Sequence, residues 1–257
     1  MSHRSGFVNI LGNPNVGKST IMNALVGEKL SIITPKAQTT RHRIMGIVNG
    51  EDFQIVYSDT PGILRPQYKL QETMMNSVNS ALSDADLILY VTDVMERTAN
   101  EGEYIDKIKE SGIPVIIAIN KIDLTNQTDL EKIVEPWHVA FPDSPVIPVS
   151  GLKKFNLDSL LNVILSKLPE SPAYFPKDQL TDKYEKFFAS EIIREKILIN
   201  YKKEIPYSVE IEIEEFKDEK KILKIRALIH VTRDSQKGII IGHKGSCLLY
   251  TSDAADE

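Results

Sequence analysis

The stretch with the most chemical content is Gly12-Asn13-Pro14-Asn15-Val16-Gly17-Lys18-Ser19. It fits G-x-x-x-x-G-K-[ST], in which the glycines let backbone N–H groups curl around a β-phosphate. Lys18 brings a positive charge to the β- and γ-phosphates, and the Ser19 hydroxyl is of the type that ligates Mg²⁺. A helix starts here, with Thr20 in its first turn, and its N-terminal N–H groups and dipole favour an anion. The ligand class is therefore a nucleoside phosphate. The base is chosen by Asn120-Lys121-Ile122-Asp123. The Asp123 carboxylate can accept two hydrogen bonds, from the N1–H and the exocyclic amine of guanine. Adenine has no such donor pair and would leave a buried charge unpaired.

Two further loops belong to the same chemistry. Asp59-Thr60-Pro61-Gly62 can hold Mg²⁺ through Asp59 and reach a γ-phosphate through the Gly62 N–H. The loop 36–42 offers Thr39 or Thr40 as a second hydroxyl ligand, with Thr40 preferred. Ser150-Gly151 can close over the base with backbone N–H groups. The predicted metal ligands are thus Ser19, Thr40 and Asp59, and the predicted catalytic groups Lys18, Thr40 and Gly62. The nucleotide contacts run through residues 12–20, Asp59, Thr60, Pro61, Gly62, Asn120, Lys121, Asp123, Ser150 and Gly151. Ile63, which follows the 59–62 loop, can do no polar work on a water, so intrinsic hydrolysis is expected to be slow.

The elements that position these loops are legible as apolar runs. Residues 7–11, 53–58, 87–92, 114–119 and 145–149 read as strands buried on both faces. Helical stretches alternate with them at 19–26, 71–83, 100–111, 129–141 and 156–168. This predicts an α/β fold with a mostly parallel sheet and flanking helices over residues 6–168. The proline-rich stretch 169–180 reads as a stiff linker. Beyond it, over residues 181–246, a long helix (182–200, with Thr181 as N-cap) precedes two alternating strands, 207–216 and 221–232, joined by a polar turn at 217–220.

Composition sets outer bounds. The chain has 257 residues, a hydrophobic fraction of 42% and a net charge of −5. That charge gives no global attraction to nucleic acid, so any RNA contact must be local. One cysteine, Cys247, cannot form an internal disulfide. With no apolar stretch at the start and no long apolar run, a cytoplasmic protein without a transmembrane segment is expected.

The local RNA candidate is Gly242-His243-Lys244-Gly245, preceded by Ile239-Ile240-Ile241, which are expected to be buried. Glycines let a backbone approach a sugar–phosphate chain, and Lys244 adds charge.

Taken together, residues 12–19, Gln38-Thr39-Thr40-Arg41, 59–62, 120–123 and 150–151 match, in order, the five motifs of translational GTPase relatives. With Gln38-Thr39-Thr40-Arg41-His42-Arg43-Ile44 and the second domain, the chain resembles the Era family of GTPases from residue 7 to about 246. The GXXG module, after helix and hairpin, looks like a type II KH domain. The resemblance implies GTP/GDP and Mg²⁺ as ligands, 16S ribosomal RNA and the small ribosomal subunit as partners, and partial association with the inner face of the membrane. Asn15 matches the phosphate-loop asparagine of potassium-stimulated relatives, which suggests K⁺ as an additional cofactor. Two alternatives remain at this stage: an RNA- or partner-binding module in which hydrolysis is incidental, and a related GTPase acting on transfer RNA. Residues 247–257 depart from the family pattern and read as foreign sequence after a truncated frame. The second domain, a partial KH domain, is therefore expected to be loosely folded and to bind RNA poorly.

Overall fold

The computed structural model describes residues 3–96, 102–219 and 222–248. It divides into two compact units. The first comprises Met1–Ser31 and Thr40–Asp182, the second Ile32–Thr39 and Lys183–Glu257.

The first unit begins with β1 (Arg4–Leu11), α1 (Lys18–Val26), β2 (Ile44–Asn49), β3 (Phe53–Asp59), α2 (Lys69–Ser83) and β4 (Leu87–Asp93). It continues with α3 (Glu103–Glu110), β5 (Val115–Asn120), α4 (Gln127–Ala140), β6 (Val146–Pro148) and α5 (Leu157–Lys167). The sheet order is β2-β3-β1-β4-β5-β6. All pairings are parallel except β2 with β3. Every residue of β4 and β5 is buried, as continuous apolar runs between two helical layers must be. The helices turn matching faces inward. Met74, Met75, Val78 and Ala81 of α2 are buried, as are Leu157, Leu160 and Ile164 of α5. Those spacings follow the helical period.

Several expectations change. The antiparallel edge strand β2 was not legible, because Ile44–Asn49 is short and interrupted by Gly46. The predicted helix at 100–111 is seen from Glu103 to Glu110, with residues 100 and 101 outside the described residues. The prolines of 169–180 do not form a free linker. Gln54 Nε2 donates to the Phe175 carbonyl (2.8 Å), and Gln54 Oε1 accepts from Tyr174 N (2.7 Å) and Phe175 N (3.0 Å). The Tyr174 ring lies 5.1 Å from that of Phe7. A fully buried glutamine thus satisfies the backbone of a segment that proline leaves without a ladder.

In the second unit, α6 (Glu185–Asn200) is followed by β7 (Val209–Glu219), β8 (Ile222–Val231) and α7 (Asp234–Ile241). Thr181 is not the cap of α6, which starts three residues later than expected with Tyr184 at the N-cap. Thr181 Oγ1 instead donates to the Met45 carbonyl at 2.7 Å, inside the first unit. β7 runs through Lys217, Asp218 and Glu219, where a turn was predicted, so the strand is longer than expected; residues 220 and 221 lie outside the described residues. The hairpin is not bare: Ile197, Tyr201, Ile205, Val209, Ile211 and Ile240 form a buried cluster, with Cys247 against it. Of the three isoleucines expected to be buried, Ile240 is, whereas Ile239 is half exposed. One helix face packs, and Ile239 lies off it. Residues 249–257, and with them most of the expected out-of-pattern tail, lie outside the described residues. Among the described residues, no helix is long and apolar enough to cross a membrane.

Candidate nucleotide-binding site

Four of the predicted loops leave the carboxyl ends of sheet strands, where open α/β sheets bind ligands, and the loop 36–42 instead connects α1 to β2. β1 delivers residues 12–17, β3 delivers residues 60–62, β5 ends at Asn120, and β6 leads to Ser150. Gly17, with φ of +95°, turns the chain into α1. A Cβ at Gly17 would stand 2.2 Å from Asn120 Nδ2, so the position is closed to any side chain.

Asn120 acts as a fastener between loops. Its Nδ2 donates to the Val16 carbonyl (2.8 Å), and its Oδ1 accepts from Gly151 N (2.9 Å). Lys121 Nζ donates to the Asn15 carbonyl (2.6 Å) and pairs with Asp93 Oδ2 (2.5 Å). Ser150 Oγ donates to Asp123 Oδ1 at 2.5 Å. Lys121 is thereby tied to the phosphate loop, and Asp123 to the 150–151 turn.

At the other end of the site, three oxygen-bearing side chains converge. Ser19 Oγ donates to Asp59 Oδ2 (2.6 Å) and lies 2.9 Å from Thr40 Oγ1. Thr40 Oγ1 reaches the same Asp59 oxygen at 3.4 Å. Asp59 Oδ1 is buried and has no hydrogen-bond partner among the described residues. A buried, unpaired carboxylate oxygen beside two hydroxyls is a donor set of the hard type that Mg²⁺ takes. No cluster of three or more His, Cys, Asp or Glu suited to a metal occurs among the described residues. Burial raises the Asp59 carboxyl above its usual range; the Ser19 hydrogen bond and the Lys18 charge oppose that shift.

The choice between the two threonines is geometric. Thr39 Oγ1 bonds to Thr34 Oγ1 and to the Lys36 carbonyl, both at 2.7 Å, in the second unit's segment. Thr40 alone of the pair faces Ser19 and Asp59.

Lys18 is buried, with Nζ donating to the carbonyls of Gly12 (3.0 Å) and Asn13 (2.8 Å). Burial lowers its pKa from 10.5 to about 8, while Asp59 and Glu96 pull it upward. Thr60 Oγ1 donates to the Ile10 carbonyl (2.7 Å), so it anchors its loop rather than pointing to a ligand. Ile63 N donates to the Gly12 carbonyl (3.0 Å), and its side chain packs against the core beside Leu64. Asn15 is exposed with φ of +66°.

Sequence reading missed Glu96 and Asp93. Glu96 accepts from Asn13 Nδ2 (2.7 Å) and Thr92 Oγ1 (2.5 Å). Asp93 could have been found as the polar residue ending an otherwise apolar strand on the ligand side of the sheet. Nothing in the local pattern marks Glu96.

The GXXG loop caps α7. Gly242 has φ of +70°, and a Cβ there would meet Cys247 Sγ at 2.5 Å. The His243 and Lys244 side chains are exposed.

A phosphate loop, a hydroxyl–carboxylate metal pocket and a guanine-type loop on a doubly wound sheet define a P-loop GTPase domain. A family model described as "50S ribosome-binding GTPase" matches residues 7–121, and one described as "KH domain" matches residues 204–249. GTPase Era of Staphylococcus haemolyticus (strain JCSC1435) is 42% identical over 248 residues, covering 96% of this chain and 83% of the relative. A crystal structure of Era in complex with MgGDPNP and nucleotides 1506–1542 of 16S ribosomal RNA superposes with a TM-score of 0.93 at 39% identity, over 98% of this chain and 87% of that one. A variant of Aquifex aeolicus Era bound to GDP.AlF4⁻ gives 0.92 at 39% identity, with the same coverages. The chain belongs to the Era GTPase family: a P-loop GTPase domain with a mostly parallel sheet, followed by a KH domain.

Proposed function

We propose that this chain binds GTP at residues 12–20, with Mg²⁺ held by Ser19, Thr40 and Asp59, and reads guanine through Asn120 and Asp123. The carrying observation is the convergence of the Ser19 and Thr40 hydroxyls on one oxygen of Asp59, with the other oxygen buried and unpaired. Bound Mg²⁺ would neutralise charge developing on the phosphates. Lys18 exchanges its two carbonyl partners for phosphate oxygens. The Gly62 N–H reaches the γ-phosphate, and Ser150 holds the Asp123 carboxylate in place for the base.

Hydrolysis by the chain alone is slow, since Ile63 packs into the core and offers no polar group to a water. A K⁺ ion held beside Asn15 would supply positive charge to the reaction.

The related Era is described with a 16S ribosomal RNA segment, and the present chain carries the exposed GXXG loop Gly242–Gly245. We assign it a nucleotide-controlled contact with that RNA in assembly of the small ribosomal subunit. The site of action is the cytoplasm, with peripheral contact at the inner membrane face. Its RNA affinity is low, because Lys244 is the loop's one fixed cation and the net charge of −5 opposes RNA. The test is titration of a 16S 3′-end oligonucleotide with protein loaded with a GTP analogue or with GDP. Different affinities are expected. Equal affinities would overturn the switch assignment, and tight, salt-sensitive binding would overturn the low affinity.

A further inference from the structure

Arg43 lies between the Thr40 loop and β2, and no motif includes it in the nucleotide site. Four hydrogen bonds nevertheless hold its guanidinium. Nε donates to Ser58 Oγ (2.6 Å). Nη1 donates to Asp84 Oδ2 (2.5 Å), and Nη2 to Asp84 Oδ1 (2.9 Å) and Asn9 Oδ1 (3.3 Å). The fork on Asp84 is bidentate, the geometry in which arginine holds a carboxylate most firmly. Only 14% of the Arg43 side chain is exposed.

Each partner belongs to a different element. Ser58 and Asn9 are fully buried and adjacent in register on β3 and β1. Asp84 is the C-cap of α2, and Asn9 Nδ2 donates to its Oδ1 at 2.8 Å and to the Ala81 carbonyl. One side chain therefore joins the start of β2 to β1, β3 and the end of the helix that follows the 59–62 loop.

The consequence concerns the metal pocket. Ser58 immediately precedes Asp59. Thr40 lies three residues before Arg43, so its Cα stays within about 11 Å of that anchor. Both the carboxylate and the second hydroxyl of the pocket are referenced to the same guanidinium. β2 is an edge strand whose terminal pair, Ile44 with Asp59, is the last rung before the loop. Together with that rung and the Met45 N–H bond to Asp182 Oδ1 (2.9 Å), Arg43 restrains the return of the loop.

We propose that Arg43, through its fork on Asp84, is a positioning residue for the Thr40 hydroxyl in the Mg²⁺ site of the GTP-bound protein. The inference rests on the assignment of Thr40 to that site. Supporting partners of metal ligands typically contribute tenfold or more to metal affinity.

The test loads the full chain with a fluorescent, non-hydrolysable GTP analogue and titrates Mg²⁺. Arg43→Met keeps the apolar stem; Asp84→Asn, at the half-exposed helix end, removes the fork's charge and carries the test should Arg43→Met fail to fold. Each folded variant should need about tenfold more Mg²⁺ for half-saturation. GDP affinity measured in EDTA should stay within about twofold of the parent, since those contacts lie in the phosphate and guanine loops. The double variant should be no worse than the poorer single one, because both remove the same link. An unchanged Mg²⁺ requirement in either folded variant would overturn the inference. So would an equal loss of GDP affinity in EDTA, which marks general destabilisation. Thr40→Ala is the reference: if it leaves the Mg²⁺ requirement unchanged, the Thr40 assignment itself fails. If Thr40→Ala shifts the requirement and Arg43→Met does not, the role of Arg43 alone is lost.

Discussion

Ser19 donates a 2.6 Å hydrogen bond to Asp59, although 40 residues separate them. The bond joins the first turn of α1 to the end of β3 and occupies one carboxylate oxygen, leaving the other for a cation. Ser19→Ala removes a proposed metal ligand together with the partner of a buried carboxylate. Added Mg²⁺ should tighten GDP binding by the parent, and EDTA should reverse this. In Ser19→Ala the Mg²⁺ enhancement should fall by about tenfold or more. Stopped-flow release of a fluorescent GDP, with and without EDTA, checks this.

Lys18 gives the site a pH dependence with a definite sign. Its pKa in the free protein is about 8, lowered by burial, whereas phosphate oxygens favour the charged form. Binding at high pH must therefore take up a proton, and affinity falls as pH rises through 8. Between pH 7 and 8.5 the GDP dissociation constant should rise roughly fourfold. A titration series that stays flat over that range would contradict it. The stability of the nucleotide-free protein moves the opposite way. The folded pKa lies below the unfolded one, so the cost of burying the charge is relieved between about pH 8 and 10.5.

Gly17 and Asn120 form a tight contact between two motifs. Gly17→Ala would place a methyl group on Asn120 Nδ2 and force a left-handed backbone on alanine. It should displace Asn120 from the Val16 carbonyl and destabilise the domain by about 1–3 kcal/mol. GDP affinity should fall sharply as well. Thermal unfolding and equilibrium binding measured on the same sample check both effects.

The potassium assignment is checked by single-turnover GTP hydrolysis in matched KCl and NaCl. KCl should be faster, and Asn15→Ala should remove the difference. Asn15 is exposed, but its φ of +66° suits alanine poorly, so the substitution should cost about 1 kcal/mol of stability.

Much of the nucleotide site was readable from order along the chain. Every site loop except 36–42 follows an apolar strand, and strands of a parallel sheet bring their carboxyl ends to one edge. The less legible parts depend on contacts distant in sequence. Thr39 and Thr40 are the same residue type one position apart, and only folding directs the second toward Ser19 and the first toward Thr34. Thr181 has the residue type of a helix cap, yet its hydroxyl donates to the Met45 carbonyl and its backbone forms a β-bridge with Gly46. Prolines 169, 172 and 176 signal a stiff linker locally, but Gln54 supplies donors and acceptors that draw the segment onto the sheet. β2 lacks the long apolar run of a central strand because it is an edge strand with one pairing partner.

The central claim, that this is a guanine-nucleotide site, is tested most directly by Asp123→Asn. An amide at this position presents a donor where the carboxylate accepted, which suits the oxygen at C2 of xanthine and not the amine of guanine. The variant should lose GTP affinity by about 100-fold or more and gain affinity for xanthosine triphosphate, measured side by side by competition. An Asp123→Asn protein that binds GTP as tightly as the parent would contradict the assignment.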